Sequence, residues 1–132
     1  MKAITIDPVW AWAICRGIKT VENRNCATRH RGELAIHAGR GTPERDRAAR
    51  KVLEGLGYKV PADVPRGAVV ALATLADCLP IDKFKIVDPA LHKNPFCYGP
   101  FCWILENVHI LKKPIPCLGK QGLWNFNEKT ER

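Results

Sequence analysis

The sequence predicts an α+β fold: a small β-barrel or strongly bent sheet of about six strands, with two or more capping helices. Short runs rich in Ile, Val and Leu recur along the 132 residues, and two are long and apolar enough to be buried on both faces. Two further segments open on proline, end near glycine and carry helical spacing. A chain of this length fits one domain, 1–132, with no linker, internal repeat or low-complexity run to divide it.

Lys2 to Ile6 alternates as a strand, with Ile4 and Ile6 on one face and Ala3 on the polar face beside Thr5. Asp7-Pro8 reads as N-cap and first helical residue, since the missing proline N–H is unpaired there in any case. Val9, Trp10, Ala13 and Ile14 then make one apolar face, and Gly17 supplies the left-handed residue that ends the helix beside Arg16. Thr20 to Asn25 is extended, and Arg29 to Gly32 is a basic turn. Glu33 to Ala38 is the next strand, with Leu34 and Ile36 on one face and His37 on the other. Gly39-Arg40-Gly41 breaks it, and Thr42-Pro43 repeats the cap-and-proline start. Ala49, Val52, Leu53 and Leu56 form the buried stripe of the second helix, ended by Gly57.

Pro61 to Gly67 is a loop, and Ala68 to Cys78 is a long doubly buried strand stopped by Pro80. Ile81 to Pro100 is an excursion over the surface with at most one helical turn. Phe101 to Ile110 is a second long strand, interrupted by Glu106 and Asn107, after which Pro114 and Pro116 limit the chain to an edge or a bulge. Gly119 to Gly122 turns the chain into a closing strand, Leu123 to Phe126.

The net charge is +8, from 21 Lys and Arg against 13 Asp and Glu, which favours a polyanionic partner such as RNA, single-stranded nucleic acid or a nucleotide. No apolar run reaches the roughly 20 residues needed to cross a bilayer, and the N-terminus lacks a signal-peptide core, so a cytoplasmic location without membrane contact is expected. The six cysteines form no C-x-x-C pair and no Cys/His knuckle, so neither a metal nor another cofactor is expected and the thiols read as reduced.

The richest stretch runs from Val9 to Arg24. In an extended segment Glu22 and Arg24 share a face, and they could form a surface ion pair worth under about 1 kcal/mol. The other reading is a ligand cleft, in which Arg24 donates in a bidentate manner, Lys19 acts as a point charge and Glu22 orients both. Trp10 either packs in the core or stacks a base. His37 and the Gly39-Arg40 turn could form a second wall, although such a turn is also an ordinary strand-to-helix connection. Asp77 and Glu106 are candidate partnering carboxylates, and Lys120 and Gln121 stand in a turn that could reach the ligand.

Gly17-Ile18-Lys19-Thr20-Val21-Glu22-Asn23-Arg24 resembles the G-x-K-x-x-E-x-R signature of the ASCH domain family, of the PUA-like superfold of small pseudo-barrels. Arg31 to Ala38, Pro65 to Val70, and Pro114 to Gly119 with Trp124 extend the resemblance in order over nearly the whole chain. The resemblance implies a central cleft suited to RNA, DNA or a modified nucleoside; taken with the residue readings above, the expected ligand-binding residues are Trp10, Lys19, Glu22, Asn23, Arg24, His37, Gly39, Arg40 and Gln121. Some members are similar to amidohydrolases that act on acetylated cytidine and some are reported as ribonucleases; either activity here would make Lys19 and Glu22 catalytic. In the amidohydrolase type, however, a threonine stands where this chain has Glu22.

Overall fold

The computed structural model describes residues 1–81, 91 and 93–127, so half of the expected 81–100 excursion lies outside the described residues. The elements are β1 (Lys2–Ile6), α1 (Pro8–Cys15), β2 (Val21–Arg24), β3 (Gly32–Ala38), α2 (Pro43–Gly55), β4 (Ala68–Pro80), β5 (Phe101–Pro116) and β6 (Trp124–Asn125). All six strands join one mixed sheet in the order β2-β5-β4-β3-β1-β6. Only β1 and β3 run parallel, linked by the crossover through α1 and β2.

The ladder is open, which corrects the expectation of a barrel: among the described residues nothing pairs β2 with β6. Both edge strands are short, four and two residues, so little backbone is available to close the ring. The sheet is nevertheless curled. Arg24, on one edge, and Gln121 and Gly122, beside the other, line the same cavity.

Local chemistry accounts for the helix boundaries. Pro8 and Pro43 both open helices, and Gly17 adopts φ 74° just beyond α1. The Thr42 side chain caps α2 by accepting from the Arg45 N–H at 3.2 Å. Asp7 occupies the N-cap of α1, but its carboxylate pairs with Arg45 instead of capping, with Nε at 3.1 Å.

Three packing findings differ from the sequence expectation. First, α1 is covered on two sides: Ala11 and Ile14 face the sheet, while Val9 and Ala13 face α2. An eight-residue helix without a charged side chain can be buried in this way, and each fully buried Val or Ile contributes about 1.5–3 kcal/mol. Second, Ala3 is buried against Ala35, Val69 and Trp124, so its face of β1 is a second core layer and not a polar surface. Third, α2 buries only Ala49 and Leu53 of its expected stripe, and Val52 and Leu56 are each 46% exposed.

β4 is buried through most of its length, as its apolar run requires. β5 continues through Pro114 to Pro116 instead of ending near Ile110. Beyond Leu105, whose N–H donates to the Thr20 carbonyl, it has no outer neighbour among the described residues. A proline there removes no bond toward β2, and the register against β4 shifts three times along the pair. Asn107, at φ 50°, sits at one of these irregularities and explains the polar break in the apolar run.

Candidate functional site

Gly17 turns the chain back under α1, so the N–H groups of Ile18 and Lys19 both donate to the Ala13 carbonyl, at 3.0 and 3.2 Å. Lys19 is thereby carried into the interior and is 4% exposed. Its Nζ lies 2.6 Å from Glu22 Oε1 and 5.4 Å from the centre of the Trp10 ring. An ammonium in that position gains both a charge-assisted hydrogen bond and the negative face of the indole. Glu22 Oε2 is 3.7 Å from the Arg24 guanidinium, which stacks over Trp103 at 5.6 Å. Glu22 is itself buried, so this is not the weak surface pair that sequence alone allowed.

The Lys19–Glu22–Arg24 network runs between two cavities. The smaller, about 230 Å³, is walled by Trp10, Lys19 and Glu22 on one side and by Val52, Pro95, Phe96 and Tyr98 on the other. Trp10 meets Phe96 edge-on at 5.8 Å. The larger, about 520 Å³, is lined by Arg24, Thr5, Asp7, His37, Gly39, Arg40, Arg45 and Gly67, together with the Cys117–Gly122 turn. Eight of the nine ligand-binding residues expected from the sequence therefore line one cavity or the other. The exception is Asn23.

Asn23 lies on the far side of β2, where its side chain holds the 96–102 segment. Its amide donates to the Phe96 carbonyl at 2.7 Å, while Oδ1 accepts from the N–H of Gly99 at 2.8 Å, the N–H of Tyr98 at 3.0 Å and the Cys102 thiol at 3.2 Å. The alternation of the strand demands this opposition to Glu22 and Arg24.

His37 is 2% exposed, with Nε2 2.9 Å from the Cys117 carbonyl and its ring edge-on to Trp124 at 5.5 Å. A carbonyl only accepts, so Nε2 donates to it, and Nδ1 has no hydrogen-bond partner among the described residues. Gly119 packs directly against this ring: a Cβ at residue 119 would stand 2.7 Å from His37 Nδ1 and Cε1, and would collide with Thr5 Oγ1.

Four cations, Arg24, Arg40, Arg45 and Lys120, reach the larger cavity, against one carboxylate, Asp7. Arg45 is engaged by Asp7 and Arg24 by Glu22, while Arg40 and Lys120 have no ion pair among the described residues. Neither Asp77 nor Glu106 lines either cavity. Asp77 pairs with Arg31 at 3.4 Å, and Glu106 is exposed on β5. The carboxylate that accompanies Lys19 is Glu22 itself. Among the described residues, no cluster of three or more His, Cys, Asp or Glu could hold a metal ion, and no helix is long and apolar enough to cross a membrane.

The sequence does not single out Thr5, Asp7 or the Phe96–Tyr98 wall. Nothing local marks Thr5 or that wall, because each acquires its role from a partner more than 70 residues away along the chain. Asp7 reads as a helix cap, and its pairing with Arg45 joins the starts of two different helices. Arg45 lies in the first turn of α2, and nothing in that local position marks a cavity.

The ASCH domain model matches residues 4–114 of this chain. The chain belongs to the ASCH domain family. It is 30% identical over 134 residues to Activating signal cointegrator 1 of Homo sapiens, and equally so to that of Mus musculus, across 98% of its own length. It spans only 23% of those relatives. The crystal structure of ASCH from Zymomonas mobilis superposes with a TM-score of 0.57 at 17% identity, covering 96% of this chain and 87% of that one. A tyrosine-to-phenylalanine mutant of the Zymomonas protein superposes with a TM-score of 0.51 at 18% identity, covering 87% and 74%. These likenesses establish the ASCH fold, of the PUA-like type, for this open six-stranded sheet.

Proposed function

We propose that this ASCH domain binds RNA, another single-stranded nucleic acid or a nucleotide in the cleft around its G-x-K-x-x-E-x-R motif. The observation that carries this reading is the convergence of Arg24, Arg40, Arg45 and Lys120, from four separate segments, on one cavity with a single carboxylate. Cations gathered in this way repel one another unless an anion neutralises them, and phosphate is the anion that a chain of charge +8 meets most readily. A volume of about 520 Å³ suits a nucleotide-sized ligand. Arg40 and Lys120 serve as phosphate donors, Arg24 as a donor held in place by Glu22 and Trp103, and His37, Gly39 and Gln121 as the polar wall.

Titrating a fluorescent single-stranded RNA at two salt concentrations tests the reading. Affinity should fall as salt rises, and Arg40→Ala with Lys120→Ala should flatten the salt slope by about 0.7 for each phosphate that is no longer neutralised. Unchanged affinity and slope in the double variant would refute it.

A second reading rests on the smaller cavity. The buried Lys19–Glu22 pair at 2.6 Å is an acid–base couple beside Trp10, and as a small hydrolase the domain would use it to move a proton during cleavage of RNA or of an acylated nucleoside. Incubation with acetylcytidine and with single-stranded RNA, followed by mass spectrometry, decides it. Turnover no greater than that of Lys19→Met removes this reading and leaves the binding one standing.

A further inference from the structure

The smaller cavity has one wall that is held in place by Asn23 and by a pair of thiols. Cys97 and Cys102 are both unbridged, and their sulfurs stand 2.7 Å apart, closer than two sulfurs in ordinary van der Waals contact. Cys102 is fixed in β5 between β2 and β4, opposite Asn23 on one side and Leu79 on the other. Cys97 is fixed from the loop side, its N–H donating to the Asn94 carbonyl at 3.2 Å. Between them, Tyr98 and Gly99 are tied to Asn23 Oδ1. The two thiols are therefore held together by strand pairing and by the Asn23 side chain.

We propose that Cys97 and Cys102 are a disulfide-forming site, and that the bridge latches the Pro95–Tyr98 wall over the Lys19–Glu22 pair. The oxidant is a low-molecular-weight disulfide of the glutathione type. The half-buried Cys97 thiolate attacks one sulfur of glutathione disulfide and expels one glutathione thiolate. The buried Cys102 thiolate then attacks the Cys97 sulfur of the mixed disulfide and expels the second. Two protons and two electrons leave the protein, and two reduced glutathione molecules form. Burial, together with the neighbouring Cys102, pushes the Cys97 thiol up to about 12, so the latch closes slowly at neutral pH and faster in alkali.

Closing the bridge removes the Cys102 S–H donor from Asn23 Oδ1, but the Tyr98 and Gly99 donors remain. The covalent link replaces that hydrogen bond and ties the Pro95–Tyr98 wall to β5. The proposal does not depend on the nucleic-acid reading and is tested without a nucleic acid.

The folded protein is equilibrated with excess glutathione disulfide at alkaline pH, its free thiols are trapped under denaturing conditions, and its peptides are mapped by mass spectrometry. A Cys97–Cys102 bridge, cleaved by dithiothreitol and absent in Cys97→Ser, is the expected product. Quantitative alkylation of both cysteines, or a stable glutathione adduct on Cys97 as the end point, would overturn the site. Amide exchange at Tyr98 and Gly99 should slow at least about tenfold in the bridged form. A bridge that leaves those two rates unchanged would overturn the latch.

Discussion

Replacing Lys19 with methionine removes one member of a buried ion pair and leaves the other. Lys19 is 4% exposed and Glu22 8%, so neither charge regains water when its partner is removed. Breaking a buried pair from one side costs about 3–5 kcal/mol. Two features of this site bring the expected cost to the lower end, about 3 kcal/mol. Arg24 stands 3.7 Å from the opposite carboxylate oxygen and compensates part of the orphaned charge. Methionine also retains the apolar stem against Trp10. Replacing both partners, as Lys19→Met with Glu22→Leu, removes the orphan and should return stability to within about 1 kcal/mol of wild type. Urea unfolding followed by tryptophan fluorescence measures both, with the m-value checked for constancy. The refuting result is a double variant that is as unstable as Lys19→Met, since the penalty would then lie in packing and not in the unpaired charge.

Three other outcomes follow from the geometry. Gly119→Ala places a methyl against Thr5 Oγ1 and the His37 ring, so the Cys117–Gly122 turn must shift; unfolding should show a loss of about 1–3 kcal/mol, and the larger cavity should lose ligand affinity together with it. Asn23→Ala removes four hydrogen bonds from the 96–102 segment, and amide exchange at Tyr98 and Gly99 should accelerate while the β3–β4 amides stay protected. Burial pushes the Cys15 thiol up to about 11, against the opposing pull of Arg16, so above pH 9 the unfolded thiol ionises while the folded one stays protonated. Stability should therefore fall by about 1.4 kcal/mol per pH unit on this account between pH 9 and 11, and a Cys15→Ala variant should show a shallower decline in pH-dependent denaturation.

Much of the site can be read from the chain because its parts are local. Lys19, Glu22 and Arg24 fall within six residues, and a glycine-terminated helix followed by a short strand fixes which of them share a face. The period of the strand alone sets His37 opposite Leu34 and Ile36, and the structure keeps that alternation even though a register shift follows Ile36. The same alternation turns Asn23 away from Glu22 and Arg24, but it is silent on the 96–102 segment that waits on that side. Sequence reasoning sets Glu22 beside Lys19 and offers Asp77 and Glu106, on the two long strands, as a further carboxylate; Glu22 does meet Lys19, while the other two line neither cavity. Helical spacing overestimates the burial of Val52 and Leu56 because periodicity reports which residues are apolar and not how far the neighbouring element extends.

The six strands, the two proline-started helices, the basic balance and the family signature are all legible in the chain without its fold. They are consequences of backbone covalent geometry and side-chain period, which act over a few residues. Long-range packing settled the rest: the sheet curls without closing, and Arg24 from one edge lines the same cavity as the Lys120–Gln121 turn from the other. Packing likewise buried Lys19 and Glu22 together under Trp10. Those outcomes depend on strand length, twist and the order of pairing, quantities that sum over the whole sheet and have no signature in any single stretch of it.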